Sequence, residues 1–241
     1  MAEYSKPMYN IAIILAGGIG SRVGGDTPKQ LLLLDDGRSI LEHSVDAFDQ
    51  APCINEVAIV MHPEWMDEAK TIVARNCWQK VKTIIPGGTE RWESSWHAIE
   101  AYAGQPSDVN LLLHDAARPF VSQTIIANIC KALEQHEAVT VAVPSTDTLY
   151  RIKNEKLKIK NGVEPYPIVE SIPARREYMR AQTPQAFRLT IIRKAFEKAL
   201  AQGNIGATDD VGIVHRYMPE TAIFIVPGEE ANKKITYKGD L

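Results

Sequence analysis

The sequence predicts a doubly wound α/β sandwich built on a mostly parallel sheet. Three observations carry this reading. Short, β-branched apolar runs recur along the chain. Stretches with apolar residues at i, i+3 and i+4 lie between them. And 241 residues are enough to bury a full core in a single domain, 1–241. Strands with no polar alternation are buried on both faces, which is the condition of a parallel sheet covered by helices.

The elements follow in order. Ile11–Leu15 is the first strand and stops at a run of glycines. Ile40–Phe48 has helical spacing, Val57–Met61 is the second strand and Pro63–Ala74 the second helix. Val81–Ile85, Glu90–Tyr102, Val109–Leu113 and Ile125–Glu134 continue the alternation, and Val139–Val143 is the fifth strand. Leu189–Ala201 and Ala222–Val226 close it with a helix and a strand. Between them, residues 148–180 break the pattern. Tyr150–Lys160 alternates apolar and polar residues around Asn154-Glu155, a turn signal, and so predicts a hairpin with one apolar side. A lone two-stranded hairpin is marginal in water. This segment is therefore expected to protrude as a β-arm covered by a second subunit, making a homodimer.

Composition narrows the function. Hydrophobic residues are 45% and charged residues 24%, the balance of an ordinary globular chain. A net charge of −3 argues against a dedicated nucleic-acid binder. No run approaches 18 apolar residues and the N-terminus has no signal pattern, so a cytoplasmic protein without a membrane segment is expected. Cys53, Cys77 and Cys130 are odd in number and lack metal-ligand spacing. They read as buried, reduced thiols.

The chemistry gathers where strands end. Leu15-Ala-Gly-Gly-Ile-Gly-Ser-Arg22 is followed by Pro28-Lys29-Gln30. Glycines let a backbone approach a ligand, their N–H groups suit an anion, and Arg22 and Lys29 suit a polyphosphate. No lysine followed by Ser or Thr closes the loop, so it is not a P-loop. The dinucleotide fingerprint misses its third glycine by one place, although Asp35 or Asp36 sits near the ribose offset. Further clusters follow other strands. Gly87-Gly-Thr-Glu-Arg-Trp-Glu-Ser94 could be a strand-to-helix turn with Thr89 as N-cap. His114-Asp-Ala-Ala-Arg-Pro119 places a carboxylate where Mg²⁺ could be held with substrate oxygens, or where Asp115 could pair with Arg118. Pro144-Ser-Thr-Asp-Thr148, Arg175-Arg176, Gln182-Thr-Pro-Gln185 and Lys233-Lys234-Ile-Thr236 complete the set.

In this order the clusters resemble the cytidylyltransferases that join CTP to a polyol phosphate, over nearly the whole chain. The resemblance implies a Rossmann-like nucleotidyltransferase sheet, Mg²⁺, and CTP and a polyol phosphate as substrates. It implies that Leu15, Ala16, Gly17, Gly18 and Gly20 wrap the triphosphate while Arg22, Lys29 and Lys234 neutralise it. Gly88, Thr89, Ser94 and Ala116 would complete the nucleotide site, and Asp115 would bind Mg²⁺. Thr148, Arg175 and Thr183 would meet the polyol phosphate, with Arg175 also assisting catalysis across the dimer. Three segments, Ala16–Arg22, Pro63–Met66 and Ile172–Arg175, resemble the ribitol 5-phosphate branch more than the 2-C-methyl-D-erythritol 4-phosphate branch. D-ribitol 5-phosphate is thus the expected acceptor, the isoprenoid substrate the alternative. A non-catalytic nucleotide- or dinucleotide-binding protein is the rival from another class.

Overall fold

The computed structural model describes residues 8–18, 27–153, 167–203 and 205–240. Strand β1 (Tyr9–Ala16) is the clearest case of sequence dictating structure. Its side chains alternate between two cores, with Ile11 and Ile13 in one and Ala12 and Ile14 in the other, all fully buried. Helices α1 (Ile40–Asp49), α2 (Met66–Asn76) and α4 (Gln123–Leu133) cover one face through Phe48, Ile72 and Ile129. Helices α3 (Arg91–Ala101), α5 (Leu189–Ala201) and α6 (Asp210–Tyr217) cover the other through Ile99, Phe196 and Val214.

Strands β2 (Glu56–Met61), β3 (Val81–Pro86), β4 (Val109–Asp115), β5 (Ala138–Pro144), β8 (Met179–Arg188) and β9 (Phe224–Pro227) complete a seven-stranded sheet of order β3-β2-β1-β4-β8-β5-β9. Strand β8 runs antiparallel to both β4 and β5; the other pairings are parallel. The sheet is therefore mostly parallel, as the sequence implies, but β8 and α6 lie in segments without a strand or helix expectation. The reason for β8 is topological. The chain leaves the sheet after Pro144 and returns at the same end, Met179 pairing with Pro144, so it can only come back antiparallel. Pro184 argues against a central strand, and the sheet accommodates it at a register shift, where Thr140 pairs with Gln185 and Val141 with Gln182.

Between β5 and β8 the described residues include a second, two-stranded sheet in the segment expected to form the arm. Strand β6 (Arg151–Ile152) pairs antiparallel with β7 (Val169–Ser171), Ile152 opposite Val169. This corrects the tight hairpin expected within Tyr150–Lys160. The partner strand lies further along the chain, and the Asn154-Glu155 turn falls outside the described residues. Tyr150, Ile152, Ile168, Val169 and Ile172 are all exposed, uncovered by the parent sheet. The cysteines need one correction too. Cys130 is buried and Cys53 half-buried, but Cys77 is exposed, because it ends α2 in the left-handed conformation (φ 52°) at the surface.

Candidate active site

The site sits beyond the carboxyl ends of β1, β3 and β4, the crevice where open α/β sheets bind ligands. Register brings its parts together. Leu15 is level with Asp115 across the β1–β4 pair, and Ala16, Met61 and Pro86 are level across β1, β2 and β3. Three loops therefore meet in one cleft of about 270 Å³. Its walls interlock closely. A Cβ on Gly17 would stand 2.7 Å from the Ser94 hydroxyl, and one on Gly88 would stand 2.2 Å from the Cβ of Glu93. Both positions accept only glycine without rearrangement.

Side chains then pin the backbone. The buried Gln30 amide donates to the carbonyls of Ala16 (2.5 Å) and Gly18 (2.9 Å), fixing the start of the glycine loop. The Ser94 hydroxyl accepts from Gly88 N at 3.1 Å. Glu93 Oε2 accepts from the backbone N–H of Thr89 and Glu90 at 2.6 and 3.0 Å. Helix α3 starts at once, and its positive end faces the cleft. Glu90 rather than Thr89 occupies the N-cap, with Glu93, three residues on, accepting from its backbone N–H in the manner of a capping box.

Asp115 is the electrostatic centre. Its Oδ1 accepts from Arg91 Nε at 3.2 Å and its Oδ2 from Lys234 Nζ at 2.6 Å. Burial alone would raise its carboxyl, but the Arg91 and Lys234 charges outweigh that and hold it well below the usual carboxylate range. The expected alternative pairing with Arg118 does not occur. Arg118 instead donates to the carbonyls of Asn232 (2.7 Å) and Ala181. This ties the segment carrying Lys234 to the sheet, as does Ile235 N donating to Ala117 O at 2.8 Å. Lys29 Nζ donates to Ile235 O at 3.1 Å. Lys29, Arg91 and Lys234 thus face a cleft in which Glu90 and Asp115 supply the acidic groups.

Most sequence-predicted site residues are in this cleft. Leu15, Ala16, Gly17, Gly18, Lys29, Gly88, Thr89, Ser94, Asp115, Ala116 and Lys234 all line it. Gly20 and Arg22 lie outside the described residues. Thr183 is not among the residues lining this cleft. It is buried behind the cleft, its hydroxyl accepting from Asp115 N at 3.1 Å and donating to His114 Nδ1 at 3.1 Å. His114 Nε2 in turn donates to Arg118 O. Burial keeps this imidazole neutral, with its pKa pushed down to about 4. Thr183 thus helps to orient the end of β4. Thr148 and Arg175 do not line this cleft either. Thr148 is exposed, while Arg175 donates to Thr146 O at 2.7 Å and lines a separate concavity with Ser145, Arg176 and Tyr178.

Three residues escaped the sequence reading. Gln30 and Arg91 lie inside quoted motifs without being singled out, and Asp210 pairs with Arg91 at 2.9 Å from helix α6. The Thr208-Asp209-Asp210 run before Val211 is a helix-start signal that could have located α6.

For a metal, the described residues contain no cluster of three or more His, Cys, Asp or Glu side chains able to hold an ion. Asp115 offers one ionised carboxylate. That fits an Mg²⁺ arriving with phosphate oxygens, which takes one or two carboxylates and keeps its waters.

A sequence profile of the family IspD, described as 2-C-methyl-D-erythritol 4-phosphate cytidylyltransferase, matches residues 10–241. The chain belongs to the IspD family. It is 45% identical over 230 residues to the 2-C-methyl-D-erythritol 4-phosphate cytidylyltransferase of Thermobifida fusca, covering 95% of this chain and 89% of that protein. It is 38% identical over 232 residues to a bifunctional ribulose 5-phosphate reductase/CDP-ribitol pyrophosphorylase of Haemophilus influenzae, covering 96% of this chain and 46% of that one. Its fold matches the 4-diphosphocytidyl-2C-methyl-D-erythritol synthase structure from Anaerococcus prevotii with a TM-score of 0.79 and 28% identity, covering 98% and 95% of the two chains. This IspD-family member is a CTP-dependent cytidylyltransferase, a nucleotidyltransferase with a Rossmann-like sheet. The non-catalytic rival is set aside by that membership.

Proposed function

We propose that this enzyme transfers CMP from CTP to 2-C-methyl-D-erythritol 4-phosphate, giving the CDP-polyol and pyrophosphate. The observation that carries the reading is the Asp115 centre, where Arg91 and Lys234 converge on one carboxylate beside Lys29 and the glycine loop. A phosphate oxygen of the acceptor attacks the α-phosphorus of CTP, the α–β bridging P–O bond breaks, and pyrophosphate leaves. The attacking oxygen is already ionised, so no general base is needed. Two polyanions must instead be brought together, and alignment with fixed positive charge does that work. Gly17 and Gly18 let backbone approach the triphosphate, and Lys29, Lys234 and the start of α3 oppose its charge. Mg²⁺, held by Asp115 with phosphate oxygens, would further neutralise the charge that builds on the leaving group. Thr148 and Arg175 sit on or beside the arm, outside the cleft of their own chain, and would serve the acceptor phosphate of a partner subunit in a homodimer.

The acceptor choice departs from the ribitol 5-phosphate expectation. The relative at 45% identity carries the methylerythritol name, against 38% for the CDP-ribitol enzyme. The latter match, spanning 96% of this chain, keeps D-ribitol 5-phosphate as the second reading. Steady-state kcat/KM with each acceptor at saturating CTP and Mg²⁺ separates them. A preference of at least about tenfold for the methylerythritol substrate is expected, the scale of a few polar contacts in a site. The reverse preference would establish the ribitol reading.

A further inference from the structure

We propose that Asp210 is a positioning residue of the transfer reaction, setting the orientation of the Asp115 carboxylate through the Arg91 guanidinium. This rests on the reading above that Asp115 faces the CTP triphosphate.

Asp210 is fully buried and starts helix α6, yet the helix does not need its carboxylate. The cap is Asp209, whose Oδ1 accepts from Gly212 N at 2.8 Å. The start of α6 is further bolted to β8 by Gln185. Its Oε1 accepts from Asp210 N and Val211 N, both at 3.1 Å, and its Nε2 donates to Asp209 Oδ2 at 2.7 Å. The Asp210 carboxylate is thus free of backbone duty. Its Oδ2 accepts from Arg91 NH1 at 2.9 Å, and none of the described residues donates a hydrogen bond to the buried Oδ1. As a device for holding a helix this is poor, because a buried ion pair is often matched or bettered by apolar packing. Its value lies at the other end of Arg91. One planar guanidinium directs NH1 to Asp210 and Nε to Asp115, so the fork transmits a fixed orientation that a lysine could not.

The second partner of Asp115 explains why an anchor is needed. Lys234 comes from a loop, and its side chain is 37% exposed. When a triphosphate enters, Lys234 can turn toward it. Arg91 is drawn to the same phosphates but is held back by a buried carboxylate. Asp115 therefore keeps one fixed partner during the reaction.

The test compares Asp210→Asn, Arg91→Met and the double variant, using full-length enzyme, CTP, Mg²⁺ and the methylerythritol acceptor. Asp210→Asn should lower kcat about tenfold, the scale for losing a supporting contact behind a site carboxylate. The KM and calorimetric affinity for CTP should stay within about twofold, because Asp210 does not itself line the cleft and Lys29 and Lys234 still oppose the triphosphate. The double variant should be no slower than Arg91→Met alone, since the two residues act in series. Wild-type kcat in Asp210→Asn, losses that multiply in the double variant, or a loss seen only in CTP affinity would overturn the proposal. If Asp210→Asn gives no cooperative melting transition, Arg91→Lys replaces it. Lysine reaches only one of the two carboxylates, so kcat should again fall about tenfold, and wild-type kcat would overturn the bridge. Failure of the wild-type enzyme to release pyrophosphate with either polyol phosphate would overturn the underlying reading, and the proposal with it.

Discussion

Lys29 and Lys234 approach the cleft from opposite ends of the chain and share one segment, with Lys29 donating to Ile235 O and Lys234 to Asp115. If both offset charge as the α–β bond breaks, Lys29→Ala should lower kcat at least about a hundredfold, the scale for one preorganised group at a developing oxyanion. Thermal melting should change little, because the residue lies on a short 3₁₀ turn (Lys29–Leu31). Turnover within about threefold of wild type would exclude Lys29 from the reacting charge. At this scale glycines and loop cations were legible, since each advertises one physical property. Residues whose task is to hold others were not. Gln30 is a neutral amide, Arg91 one cation among several, and Asp210 an acid far away in sequence. Nor does anything local reveal that the Thr183 hydroxyl bonds to Asp115 N and His114 Nδ1.

Among the elements, the runs that became β1, β2, β3, β4 and β5 could be read directly, because uninterrupted β-branched residues have few alternatives to a two-sided strand. Strand β8 could not. Met179–Arg188 contains Pro184 and three buried polar residues, Gln182, Thr183 and Gln185, and its place in the middle of the sheet depends on partners distant in sequence. The pairing of β6 with β7 could not be read either, because alternation alone does not fix which strand pairs with which. The exposed apolar residues of this segment lead to a prediction. If the arm crosses to a partner subunit, a mixture of Lys234→Ala and Arg175→Ala enzymes forms hybrid dimers in which one site carries both defects and the other none. Activity should rise on subunit exchange, toward one intact site per hybrid. No recovery, with exchange demonstrated by differently tagged subunits, would place Arg175 in the service of its own chain.

Across the whole molecule, the topology accounts for the site. Parallel β1 and β4 end level with one another, so the glycine loop and Asp115 meet. The antiparallel return of β8 brings Gln185 to α6, and α6 reaches Arg91 from behind. The two helix layers keep this framework rigid, as needed for catalysis that depends on alignment and fixed charge. The central claim is that the cleft directs an acceptor phosphate onto the α-phosphorus of CTP. It is tested most directly in a single turnover with CTP labelled at the α-phosphate or, in parallel, at the γ-phosphate, using 2-C-methyl-D-erythritol 4-phosphate and Mg²⁺. The α-label should move into the CDP-polyol while the γ-label leaves as pyrophosphate, and no transfer should occur without the acceptor. An α-label recovered as free CMP, or a γ-label found on the polyol, would contradict the account.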